Sequence, residues 1–179
     1  MRHTLVALME DRPAALNRML GLLRGRALVV HSVAFGESET PGVRRITLVV
    51  DTTDVQQTIK QLNRLIEVLE VTDVTNAEYV VRETALVKIH VPEPRREEVR
   101  TVAEGFGAKI VGSNAHTVVV QMTDTPDRLG EMIERAKGFG ALETMRSGSL
   151  AMELGAITPV EAPPRDESAR PWWQADGAC

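Results

Sequence analysis

The sequence predicts an α+β protein built as two tandem βαββαβ units, and three observations carry that prediction. Two stretches of about 75 residues each run through the same order of alternating and helix-spaced apolar positions. Each stretch contains a strand pair broken by a short polar turn, Glu37–Gly42 in the first and Asn114-Ala115-His116 in the second. Both helix-spaced segments of the second stretch run into the same tetrapeptide, Gly-Phe-Gly-Ala, at 105–108 and 138–141.

Thr4–Met9 reads as the first strand, and Asp11-Arg12-Pro13 as a helix start followed by Leu16, Met19, Leu20 and Leu23 at helical spacing. Leu28–Phe35 and Arg44–Asp51 are the next strands; in the latter Ile46, Leu48 and Val50 alternate with Arg45, Thr47 and Val49. Val55, Ile59, Leu62, Ile66 and Leu69 form one long amphipathic stripe, and Val71–Val74 closes the unit as a short strand. In the second unit Leu86–Val91 is a strand, and Val99, Val102 and Phe106 mark a helix after Pro94. Lys109–Gly112 and Thr117–Met122 are strands, Leu129, Met132, Ile133, Ala136 and Phe139 a second stripe, and Leu142–Arg146 leads into the last strand. The glycines of Gly-Phe-Gly are the residues expected just past a helix end, where positive φ is required. No GxGxxG follows a strand.

Units of this order fold as a ferredoxin-like four-stranded antiparallel sheet with both helices on one face. The expected division is a first domain over 1–76, a linker over 77–84, a second domain over 85–155 and a disordered tail over 156–179. The tail is rich in proline and charge and carries Trp172-Trp173, the only tryptophans. Domains this small have thin cores, so burial against a partner subunit is expected.

Composition excludes several function classes. A net charge of −4 argues against a nucleic-acid partner. Cys179 is the only cysteine, so neither an internal disulfide nor a thiolate metal cluster is available. No apolar run approaches the ~20 residues that span a bilayer, and the first residues lack a signal-peptide layout; a cytoplasmic, membrane-free protein is expected. His3, His31, His90 and His116 are scattered without HxH or HExxH spacing, so no metal site is expected. There is no GxSxG turn, and Glu97-Glu98 suits a helix start, where carboxylates favour the dipole. No catalytic residues are expected. RNA recognition on this fold stacks bases on strand aromatics, which Arg44–Val50 lacks. Arg12 alone, without partner glycines, does not make the anion cradle of a small phosphatase.

Glu10–Leu16 is the informative stretch. Free N–H groups at a helix N-terminus attract a carboxylate, and a nearby aspartate can hold an ammonium, so an amino-acid zwitterion fits there. A plain helix start explains the same residues, since Asp is a preferred N-cap and Pro suits the first turn.

Asp11-x-Pro13-x-x-Leu16 after a first strand resembles the ligand loop of an ACT domain. Leu16–Leu23, Gln61–Val68, Arg82–Ile89 and Arg146-Ser147-Gly148 narrow the resemblance to the small regulatory subunit of acetolactate synthase, over residues 1 to about 155 in order. The tail has no counterpart in the family pattern. The resemblance implies a non-catalytic subunit that activates a separate catalytic subunit carrying thiamine diphosphate, Mg²⁺ and FAD, in branched-chain amino acid biosynthesis. It also implies a homodimer through the ACT domains, with a branched-chain amino acid, typically valine, between the first loop of one copy and the second strand of the other. Carried over by position, the effector site comprises Asp11, Arg12, Pro13, Ala14, Ala15 and Leu16 with Leu28, Val29, Val30 and His31. The family usually has glycine at position 14 and asparagine near position 29, so weakened valine feedback is expected here. The alternative reading is a free-standing tandem ACT-type amino-acid sensor of another enzyme or pathway.

Overall fold

The structure is a computed structural model that describes residues 1–26 and 28–155; the tail with Trp172-Trp173 lies outside the described residues. The fold is α+β, with two compact units: Met1–Tyr79, joined by 153–155 of the described residues, and Val80–Met152.

In the first unit the elements are β1 (Arg2–Glu10), α1 (Ala15–Gly25), β2 (Val29–Glu37), β3 (Val43–Asp51), α2 (Val55–Leu62) and β4 (Val68–Asp73). The antiparallel sheet has the order β2-β3-β1-β4, which leaves β2 on one edge. Alternation decides which face is covered. Leu5, Ala7 and Met9 of β1 and Ile46, Leu48 and Val50 of β3 are all essentially solvent-free, and they pack against Ala15, Met19 and Leu23 of α1 and Leu62 of α2.

The second unit holds β5 (Tyr79–His90), α3 (Arg96–Gly105) after a 3₁₀ turn at Glu93–Arg95, β6 (Lys109–Ser113), β7 (Thr117–Asp124), α4 (Pro126–Lys137), β8 (Ala141–Arg146) and β9 (Leu150–Glu153). Its order is β6-β7-β5-β8, with β9 also pairing β5. Val87 and Leu129 sit at the centre of its aliphatic core. Gly107 and Gly140 do adopt positive φ, at +71° and +91°, as the repeated Gly-Phe-Gly requires.

Three expectations are corrected. The helix does not begin at Asp11–Pro13. It begins at Ala15, behind an Ala14 N-cap in the left-handed region with no side-chain cap. The backbone N–H of Asp11 donates to Gly42 O at 2.8 Å and its carboxylate is engaged elsewhere, so it is not free to cap. The long stripe is not one helix. α2 stops at Leu62, Ile66 is 80% exposed, and Leu69 lies in β4. Residues 68–73 gain ladder hydrogen bonds to β1 that a longer helix would forgo.

The stretch read as a linker is largely strand, since β5 starts at Tyr79. Within it Glu83 is buried and takes a bidentate pair from Arg146, at 2.8 and 2.6 Å. Arg146 also reaches Pro126 O, and Ser147 exchanges hydrogen bonds with Thr84. The Arg-Glu-Thr and Arg-Ser-Gly segments are thus one structural knot, which turns the chain into the unanticipated β9.

Candidate functional site

The path of residues 10–17 creates the site. β1 ends at Glu10, paired with Val43, and the chain must climb from the sheet to α1 on the helix-covered face. Ala15 N–H closes a tight turn on Arg12 O, and Ala14 takes φ 63° and ψ 0° to enter the helix. Ala14 is the only non-glycine residue with positive φ among those described. An L-residue in this conformation brings its Cβ close to the following carbonyl, a cost that glycine escapes.

This turn leaves a cavity of about 110 Å³ lined by Met9, Glu10, Asp11, Arg12, Ala14, Ala15, Leu16, Asn17 and Phe35. Five of the six loop residues assigned from the sequence therefore line one cavity, and Pro13 does not. The cavity is small against the 300–1,000 Å³ of a complete small-molecule pocket.

Its electrostatics differ from the expectation for Asp11. The Asp11 carboxylate accepts from Arg44 Nη2 at 2.7 Å, and so is already neutralised within the chain. That hydrogen bond raises the Arg44 guanidinium above its ordinary value. Arg44 also lies 3.4 Å from Glu37 and stacks over the Phe35 ring, 5.7 Å from its centroid. Arg12 pairs with Glu10. Beneath them Glu67, nearly solvent-free, accepts from Arg18 of α1 at 2.6 Å, and its carbonyl accepts the Glu10 N–H at 2.8 Å. Ala14 presents apolar surface and backbone rather than charge.

Leu28, Val29, Val30 and His31 are not at this cavity. Val29 pairs with Asp51, which also pairs with Arg2 at the beginning of β1, whereas Glu37 pairs with Arg44 near the end of β1. The two groups of residues therefore sit at opposite ends of one sheet, about 25 Å apart at 3.3 Å per residue. At their end Val29 and Val30 are exposed at 56% and 37%, and the His31 Nε2 lies 2.6 Å from Asp51 Oδ2. That hydrogen bond holds the Asp51 carboxyl below its ordinary value.

Sequence reasoning missed Phe35, Asn17 and Arg44. Phe35 carried one signal: it is the first Phe, Tyr or Trp in a chain poor in such residues, and in the structure it is 45% exposed. Arg44 carried none, because its partners are 33 residues upstream and seven residues upstream. Among the described residues no cluster of three or more His, Cys, Asp or Glu side chains is arranged to hold a metal. No helix described is long and apolar enough to cross a membrane.

Two family models match the chain: an AHAS small subunit-like ACT domain over residues 5–70, and the small subunit of acetolactate synthase over residues 82–155. The chain is 37% identical over 158 residues to the acetolactate synthase small subunit of Bacillus subtilis, covering 87% of this chain and 92% of that protein. It is 34% identical over 157 residues to the probable acetolactate synthase small subunit of Archaeoglobus fulgidus, covering 87% and 98%. Among solved structures, the acetolactate synthase small subunit of Thermotoga maritima superposes with a TM-score of 0.80 at 26% identity, over 88% of this chain and 99% of that one.

Proposed function

Because the chain belongs to the family of acetolactate synthase small subunits, we propose that it acts as the non-catalytic regulatory partner of an acetolactate synthase catalytic subunit. The observation that carries this is the match of both units, in order, to that one family, which a free-standing sensor would not require. The chemistry of joining pyruvate to pyruvate or to 2-oxobutyrate then belongs to the partner, with its thiamine diphosphate, Mg²⁺ and FAD. This chain supplies binding energy and control.

The geometry supports a homodimer that completes the effector site. In the sheet formed by the described residues β2 is an edge strand, and it exposes Val29 and Val30. Such an edge is a template for pairing. Antiparallel pairing of two β2 strands about their middle brings residues 28–31 of one copy beside Phe35–Glu37 of the other, next to its loop cavity. The ten residues assigned from the sequence would then form one site per loop, each shared between copies. The candidate ligand is a branched-chain amino acid. Its carboxylate would meet the backbone N–H groups of the first turn of α1, and its side chain Leu16 and Phe35.

The test is reconstitution with a purified acetolactate synthase catalytic subunit. Pyruvate turnover rises on adding this protein, while this protein alone turns over no pyruvate and carries no flavin. Turnover by this chain alone, or a catalytic rate indifferent to it, refutes the reading.

A further inference from the structure

Arg44 stands where three features of the first unit meet. In the β3 register it is paired with Met9 on one side and Glu37 on the other, so it lies between the end of β1 and the end of β2. It has the parity of Ile46 and Leu48, which places its side chain on the helix-covered face, under the loop that leads into α1. From there one planar guanidinium reaches Asp11 of the loop at 2.7 Å, Glu37 of β2 at 3.4 Å and the face of Phe35. The loop has a second tie in the same place, since Asp11 N–H donates to Gly42 O in the β2–β3 turn.

We propose that Arg44 is the positioning residue of the effector site: it locks the loop and the end of the dimer edge β2 into one unit. This rests on the reading of the site as shared between two copies. A ligand held between the loop of one copy and β2 of the other can signal only if the loop is coupled to the dimer edge. Arg44 supplies that coupling by tying the loop to Phe35 and Glu37 of its own copy, the end of β2 that lies beside residues 28–31 of the other copy in this pairing, and Asp11 serves as its counter-ion rather than as a receiver of the ligand's ammonium. The task suits arginine specifically. A guanidinium engages two carboxylates in different directions while stacking on a ring, whereas a lysine ammonium pairs as a single point charge.

The experiment uses the full chain and the variants Arg44→Met, Arg44→Lys, Asp11→Asn and the double Asp11→Asn/Arg44→Met. Amide hydrogen exchange is read over residues 10–17 and over residues 33–37, without any ligand. Arg44→Met is expected to speed exchange about tenfold in both segments, and Asp11→Asn in the loop, with the double variant no faster than Arg44→Met. Arg44→Lys is expected to restore protection in the loop but not at the end of β2, a split that loss of general stability would not produce. Unchanged exchange at 33–37 in Arg44→Met, or additive effects in the double variant, overturns the proposal.

A second arm measures inhibition of the reconstituted holoenzyme by valine, leucine and isoleucine. Arg44→Met and Asp11→Asn are expected to shift the midpoint of any responsive amino acid together, by about tenfold. Midpoints equal to wild type in both variants overturn the proposal. A wild-type holoenzyme that ignores all three overturns the effector reading instead, and the exchange arm still decides the role of Arg44.

Discussion

Ala14→Gly is a perturbation whose sign runs against the usual rule for helices. Replacing alanine by glycine inside a helix costs about 1 kcal/mol. At position 14, however, φ is 63°, a conformation that costs an L-residue roughly 1–2 kcal/mol and glycine almost nothing. Glycine gives part of that back, because its freer unfolded chain costs about 0.4–1 kcal/mol. The net expectation is a stabilisation of about 0.5–1 kcal/mol. For a unit of this size that raises the thermal midpoint by roughly 2–8 °C, and it moves the urea midpoint up by a few tenths of a molar at an m value of about 2 kcal/mol/M. Calorimetry and urea titration followed by circular dichroism measure both. Ala14→Val is the control, since a β-branched residue is least tolerant of positive φ and should destabilise the unit. If Ala14→Gly instead lowers stability by about 1 kcal/mol, residue 14 is an ordinary helical position and the account of the loop fails.

Three further outcomes are expected. Adding Val29→Asn to Ala14→Gly should raise affinity for valine, because one hydrogen bond to a charged group contributes about 1.5–3 kcal/mol, roughly 10- to 150-fold; calorimetry that shows micromolar valine binding already in the wild type would refute this. Arg146→Met should destabilise the second unit by about 2–4 kcal/mol, because it leaves the buried Glu83 carboxylate without its bidentate partner, while Glu83→Gln/Arg146→Met together should cost less than Arg146→Met alone in a urea titration. For Asp73, burial pushes the carboxyl up, but hydrogen bonds from Thr75 and His3 outweigh it and the value falls below the ordinary 3.8. A depressed carboxyl stabilises the fold above its unfolded value, and that contribution fades as pH drops through the folded value. Asp73→Asn should therefore melt lower than wild type at pH 7 and converge with it as the pH falls through the folded value, as thermal melts over a descending pH series would show.

Much of this protein was legible locally. The duplicated order of elements follows from apolar spacing, which reports the face each segment buries whatever it packs against. Gly107 and Gly140 were readable as punctuation because positive φ is a single-residue property. The loop Asp11–Leu16 is legible as the strand-to-helix crossing because aspartate and proline favour a helix start, although the helix itself begins only at Ala15.

What the sequence by itself determined, then, is the repeated βαββαβ order, the family and the position of the loop, all carried by residues close together in the chain. Only the tertiary structure decided who meets whom at the site. Strand register separates Val29 and His31 from the loop by the length of the sheet, so within one chain the two groups of residues do not meet. Asp11 is neutralised by Arg44, 33 residues away, rather than kept free for a ligand. Residues 66–69 continue a helical spacing but are withheld from α2, because β1 offers the chain from Val68 onward a ladder of hydrogen bonds. The physical reason is common to all three. Propensity and periodicity act over a few neighbours, whereas ion pairs and strand partners are chosen by distance in the folded chain, which no local pattern encodes.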